Sequence, residues 1–144
     1  VARWLFELAN DDRIGRVFIQ SMAEADEKEG TLAKRFKRMR PEHEVRAKTG
    51  YLSGVSALSG YVIDRASGRR VVFSIISNDK PNSVPLSRVR EMEEKIVLMI
   101  DVWLAADTAG ALGGLARNSP SIVMLLAPLF RTGCITPVCL AGCR

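Results

Sequence analysis

Three apolar segments separated by short polar breaks constrain the fold of this chain most. They run from Val45 to Tyr51, from Val55 to Ile63 and from Val71 to Ser77. In the third, Val71, Phe73 and Ile75 fall on one side and Val72, Ser74 and Ile76 on the other. Both sides are mostly apolar, so a strand covered on both faces is predicted. Asp64-Arg65-Ala66-Ser67-Gly68 is a turn signal in which Gly68 is free to take positive φ. The second and third segments therefore read as an antiparallel hairpin.

Helical patterns flank these strands. Trp4 to Met22 has helical spacing with a break at Asn10-Asp11-Asp12, where Asp11 or Asp12 caps a second piece carrying Ile14, Val17, Phe18 and Met22 on one face. Ala23 to Arg40 is highly charged and reads as a loop plus a short basic stretch. Pro85 suits the first turn of a long helix from about Leu86 to Ala105. Along it Val89, Met92, Ile96, Ile100 and Trp103 recur at helical steps, and Glu91 and Lys95 form an i,i+4 pair on the outer face. The expected fold class is mixed α/β (α+β), an antiparallel sheet packed by helices.

A length of 144 residues argues for one domain, and 47 % hydrophobic with 26 % charged residues excludes wholesale disorder. The net charge of +5 is basic, but not a nucleic-acid binder's composition by itself. The single histidine, His43, excludes a His-rich metal site; between Glu42 and Glu44 it reads as a solvated loop residue. Lys34, Arg35, Lys37, Arg38 and Arg40 read as a charged surface helix or loop, because Phe36 is the only interleaved aromatic. Cys134, Cys139 and Cys143 have no fourth ligand close by, so no metal site is expected, and no cofactor.

The chain starts at Val1, and Arg3-Trp4-Leu5 already reads as helix interior, so a fragment or processed chain is expected. After Ala105 the helical pattern decays at Gly110, Gly113 and Gly114. Residues 106–144 are left as an unassigned tail, outside the packed unit of residues 1–105. Its apolar run from Ile122 to Phe130, about nine residues, is too short to span a bilayer, and no integral membrane segment is expected.

The chemistry-bearing pattern is Lys48-Thr49-Gly50, a K-T-G triplet on a strand that precedes a hairpin. Lysine presents a point charge that can hold a terminal carboxylate. The threonine hydroxyl can hydrogen-bond the same group. Glycine, without a Cβ, lets a substrate backbone lie along the strand edge as an added strand. The following N–H, that of Tyr51, can point at a developing oxyanion.

Around the triplet stand Gly30-Thr31-Leu32-Ala33-Lys34-Arg35-Phe36, Val45-Arg46-Ala47, Gly54-Val55-Ser56-Ala57-Leu58-Ser59-Gly60-Tyr61-Val62 and Val72-Phe73-Ser74-Ile75. In these stretches, their order and their spacing, the chain resembles the C-terminal part of the transpeptidase-like domain of D-alanyl-D-alanine carboxypeptidases of the low-molecular-mass, class C penicillin-binding type. The resemblance covers about two thirds of the chain. It implies a partial β-lactamase/transpeptidase-like domain in residues 1–105, closed by the long helix. It also implies a serine acyl-transfer peptidase acting on peptidoglycan stem peptides and acylated by β-lactams, in a periplasmic or extracellular location. Carried over, Lys48, Thr49 and Gly50 bind substrate, and the Tyr51 backbone N–H belongs to the oxyanion hole.

The family's S-x-x-K and S-x-N do not precede Lys48, where Ser21 is the only serine. Ser77-Asn78-Asp79-Lys80 has the S-x-x-K form but lies downstream, where the family keeps no nucleophile. Tyr51 stands where the family more often has a small hydroxyl residue. The resulting expectation is an enzyme fragment, inactive alone, with both helices on one sheet face and the other face left open for the nucleophile-bearing part. The alternatives are a non-catalytic remnant that at most binds peptide, and a basic module binding a polyanion through Lys34 to Arg40.

Overall fold

The structure, a computed structural model, describes residues 1–78, 83–108 and 121–127. Two short helices, α1 (Ala2–Ala9) and α2 (Gly15–Gln20), lead into β1 (Ala23–Glu24). Then come β2 (His43–Leu52), β3 (Val55–Asp64), β4 (Arg70–Ser77), the long helix α3 (Leu86–Thr108) and β5 (Ser121–Ala127). The break predicted inside the first helical stretch is real. Asp11 sits at it, its Oδ1 accepting the N–H groups of Arg13 and Ile14 at 2.8 and 3.1 Å.

The sheet order is β1-β2-β3-β4-β5. The first four strands are antiparallel neighbours, and β5 pairs parallel with β4, from Val71↔Ser121 to Ser77↔Ala127. The α+β class holds, with an antiparallel sheet packed by helices. Ser53-Gly54 closes the β2–β3 hairpin with Gly54 at φ +77°, and Gly68 reaches φ +71° in the β3–β4 turn, as its position in the turn signal required. Residues 121–127 extend the sheet as β5. A parallel neighbour needs a crossover, which here contains α3. The three cysteines lie outside the described residues.

The pleat assigns the strand residues to two cores. Val45, Ala47, Leu58, Val62, Val71, Phe73 and Ile75 face Val97, Ile100 and Leu104 of α3. Tyr61 and Val72, one step out of phase, face Ala2, Leu5, Ala9 and Ile19. The helices therefore lie on opposite faces of the sheet, which corrects the expectation of one shared face and one open face. The physical reason was already in β4: a strand apolar on both sides needs cover on both sides, and α1 with α2 supplies the second. Close packing inside the sheet is equally demanding. A Cβ on Gly60 would stand 2.1 Å from the Arg46 carbonyl oxygen.

The inward face of α3 differs from the predicted stripe by about one residue. Val89, Glu93, Val97, Ile100, Asp101 and Leu104 are buried, while Met92, Ile96 and Trp103 flank them half-buried. Two of those inward positions are acids, each neutralised across the core. Glu93 Oε2 receives Arg35 Nη2 at 3.0 Å, and Glu93 Oε1 receives the Ser56 hydroxyl at 2.7 Å. Asp101 Oδ1 lies 2.5 Å from His43 Nδ1, with Arg40 Nε 3.5 Å from Oδ2. Arg35 also donates to Glu94 and to the Arg90 carbonyl, fastening the 25–42 loop to α3.

Candidate functional site

The register of β2 decides where the K-T-G triplet lies. β1 pairs only with Arg46 and Ala47, and the Ala25 N–H donates to the Val45 carbonyl at 3.0 Å. Beyond Ala47 that margin has no strand partner among the described residues. Backbone groups alternate sides along a strand. The N–H and C=O of Thr49 and Tyr51 thus point to the same side as the Val45 carbonyl, along the open margin, while β3 pairs the other side. An edge with free donors and acceptors can take one more extended segment.

A groove of about 440 Å³ lies beside this margin, on the α1 and α2 face. Trp4 and Leu5 of α1, with Phe18 and Met22, form one wall; Lys48, Thr49, Gly50, Ala57 and Ser59 form the other. Lys48 stands directly across from Ser59 in the β2–β3 pairing, and the Ser59 and Ser74 hydroxyls are 2.9 Å apart behind it. The Lys48 ammonium donates to the Thr49 carbonyl at 2.7 Å, and among the described residues no carboxylate pairs with it. A lysine held by one carbonyl keeps two donors for an incoming anion.

Gly50 reports on what the groove requires. A Cβ built there meets only the Ala57 Cβ, at an ordinary 3.5 Å. The fold does not need glycine at this position; a methyl group would instead intrude on the groove. Tyr51 is exposed beyond it.

The wall opposite is held by a buried hydrogen bond. The Tyr61 hydroxyl donates to the Leu5 carbonyl at 2.7 Å and ties α1 to β3. Burial pushes the Tyr61 pKa up to about 12, against a smaller downward pull from Arg70. At the far end of β3, Asp64 is held below the usual carboxylate range, chiefly by the Ser67 hydroxyl, with help from the Ala66 and Ser67 N–H groups and from His43.

Other residues singled out in the sequence lie elsewhere. His43 is buried against Asp101, not solvated, because β2 begins there and its side chain turns toward α3. The basic stretch is a series of turns in which Arg35 is buried on Glu93 and Arg40 reaches Asp101 and Glu42; Lys37, Arg38 and Arg40 remain exposed. Ser21 lines the groove with its hydroxyl on the Phe18 carbonyl. Ser77 is buried at the end of β4 and is not part of the groove, and Lys80 lies outside the described residues. The network of Arg35, Ser56 and Glu93 went unread. A glutamate at i+4 from Val89 and i−4 from Val97 was its only signal.

Among the described residues no helix is long and apolar enough to cross a membrane, and no group of three or more His, Cys, Asp or Glu is placed to hold a metal. Residues 3–99 match the model of the D-Ala-D-Ala carboxypeptidase 3 (S13) family. A D-alanyl-D-alanine carboxypeptidase of Actinomadura sp. (strain R39) is 47 % identical over 58 residues, 40 % of this chain and 10 % of that enzyme. The matched stretch is thus a small part of the curated relative. No solved structure matches.

Proposed function

Because the chain belongs to the D-Ala-D-Ala carboxypeptidase 3 (S13) family, we propose that it carries the substrate-docking edge of a serine-type D-Ala-D-Ala carboxypeptidase acting on peptidoglycan stem peptides. The supporting observation is the K-T-G triplet on a strand margin that has no strand partner among the described residues and borders a groove. In this reading Lys48 and Thr49 hold the terminal carboxylate. Gly50 lets the substrate backbone settle as an added strand. The Tyr51 N–H, on the open side of β2, stabilises the oxyanion of the acyl-transfer step.

The serine nucleophile of such chemistry forms an ester with the penultimate residue's carbonyl as terminal D-alanine leaves; water then cleaves that ester. No S-x-x-K precedes Lys48 in the 144 residues, so in this reading the nucleophile is contributed by a part of the enzyme outside them. β-Lactams are ligands of the complete site, and the location is periplasmic or extracellular, where peptidoglycan is.

Two measurements test the reading. A peptide ending in D-Ala-D-Ala, titrated into the chain, is expected to perturb the amide signals of Thr49, Gly50 and Tyr51. Lys48→Met is expected to weaken it by roughly 10- to 100-fold, the worth of one charge-assisted hydrogen bond. Unchanged affinity in that variant overturns the assignment of Lys48. Fluorescent penicillin is expected to leave this chain unlabelled; covalent labelling of any of its serines overturns the placement of the nucleophile.

A further inference from the structure

The join from α2 to β1 decides how much of the β2 margin stays free. Ala23 pairs with Ala47, and Glu24 with Arg46. Continued two residues in that register, the chain would set Ser21 opposite Thr49 and fill the margin. It turns away instead. The Ser21 N–H is spent on α2, donating to the Val17 and Phe18 carbonyls at 3.0 and 3.2 Å. The Gln20 and Met22 carbonyls both accept from Arg46 Nη1, at 3.2 and 3.4 Å. Arg46 Nη2 donates to Glu24 Oε2 at 2.5 Å, and its Nε donates to Glu44. One planar guanidinium on β2 therefore grips residues 20, 22 and 24 together, a span that needs the arginine fork. Arg46 stands two positions before Lys48, on the same face of the strand. Ser21, Met22 and Ala23 of the gripped segment line the groove with Lys48 and Thr49. Glu24 and Glu44 neutralise Arg46, so what it supplies to the groove is position rather than a second free charge.

Resting on the reading that the K-T-G margin docks substrate, we infer that Arg46 is a positioning residue for it. Its clasp on residues 20–24 ends the pairing of β1 at Ala47 and fixes that wall of the groove. The Thr49 and Tyr51 backbone is thereby kept free for an added strand.

Arg46→Met in the 144-residue chain tests this with two readouts. Without ligand, the Ala25 amide, bonded to the Val45 carbonyl at 3.0 Å, is expected to exchange with solvent about 10-fold faster, while amides of β3 and β4 keep their protection. A peptide ending in D-Ala-D-Ala is expected to bind the folded variant about 10-fold more weakly, although Lys48, Thr49 and Gly50 are untouched. Arg46→Lys keeps the charge without the fork and is expected to follow Arg46→Met; full affinity with lysine assigns the effect to charge and overturns the clasp. Unchanged Ala25 exchange overturns it as well. Faster exchange with unchanged affinity makes Arg46 structural only and overturns its positioning role. If Arg46→Met does not fold, Glu24→Ala decides: it removes a partner on the gripped segment and is expected to give both effects at about threefold, and no change in either overturns the proposal. A parent chain that leaves the peptide unbound overturns the docking reading and the positioning role together, a result distinct from a variant that binds as the parent does.

Discussion

Glu93 has 1 % of its surface exposed and depends on Arg35 and Ser56 for its charge. Removing the cation while leaving the acid strands a buried charge, which typically costs roughly 3–5 kcal/mol. Arg35→Leu is therefore expected to lower the stability of the chain by about that amount in urea unfolding, whereas Lys37→Leu, at an exposed position, is expected to shift it by less than about 0.5 kcal/mol. The two glycines of the paired strands separate in the same way. Gly60→Ala meets backbone and side-chain atoms at 2.1 to 2.7 Å and should fail to fold or unfold at a much lower temperature. Gly50→Ala has room, should unfold within a few degrees of the parent, and should lose affinity for a D-Ala-D-Ala peptide. A matching loss of stability at both positions would show that Gly50 serves packing. That Lys48-Thr49-Gly50 lies on a strand was legible in sequence. Arg35 was not, because in a run of basic residues nothing local marks the one that turns inward.

At the scale of elements, β3 holds both faces together, and its titrating groups predict how. Tyr61 is neutral and hydrogen-bonded in the folded chain, with its pKa raised from 10.0 to about 12. A raised folded pKa favours the protonated form, so this contribution is complete below pH 10 and is lost as pH climbs toward 12. Tyr61→Phe is expected to cost about 1 kcal/mol at pH 7, and the difference from the parent should narrow in melts between pH 10 and 12. A difference constant across that window would mean that the hydroxyl bond to Leu5 does not hold α1. Asp64 runs the other way. Its folded pKa is depressed, chiefly by the Ser67 hydroxyl, so its contribution is present above the ordinary carboxylate pKa and disappears as pH falls through the folded value. Asp64→Asn should therefore melt below the parent at pH 7 and approach it under acid conditions.

The three strand segments and the long helix appear close to their predicted bounds, since alternation and helical spacing are local properties. The two-residue β1 and the exact inward stripe of α3 were not readable. The first depends on pairing with Arg46 and Ala47, and the second on acids made tolerable inside by partners distant in sequence.

Over the whole molecule, one sheet serves two cores, with Trp4 on the α1 side and Trp103 beside the α3 core. Because Leu58 and Val62 face α3 while Tyr61 faces α1 from the same strand, neither core can be lost without loosening β3. Single-tryptophan variants, Trp4→Phe and Trp103→Phe, are expected to give coincident unfolding transitions. Separate midpoints would mean that the two faces unfold independently. What the sequence by itself determined is the set of strands, the long helix and the identity of the K-T-G edge, because each follows from residues a few positions apart. The tertiary structure alone decided that the helices lie on opposite faces, that the pairing of β1 ends at Ala47 and leaves the Thr49 and Tyr51 backbone on a margin with no strand partner among the described residues, and that Trp4 stands across a groove from it. Those relations join residues more than twenty positions apart, and only the burial of both apolar sheet faces brings them together.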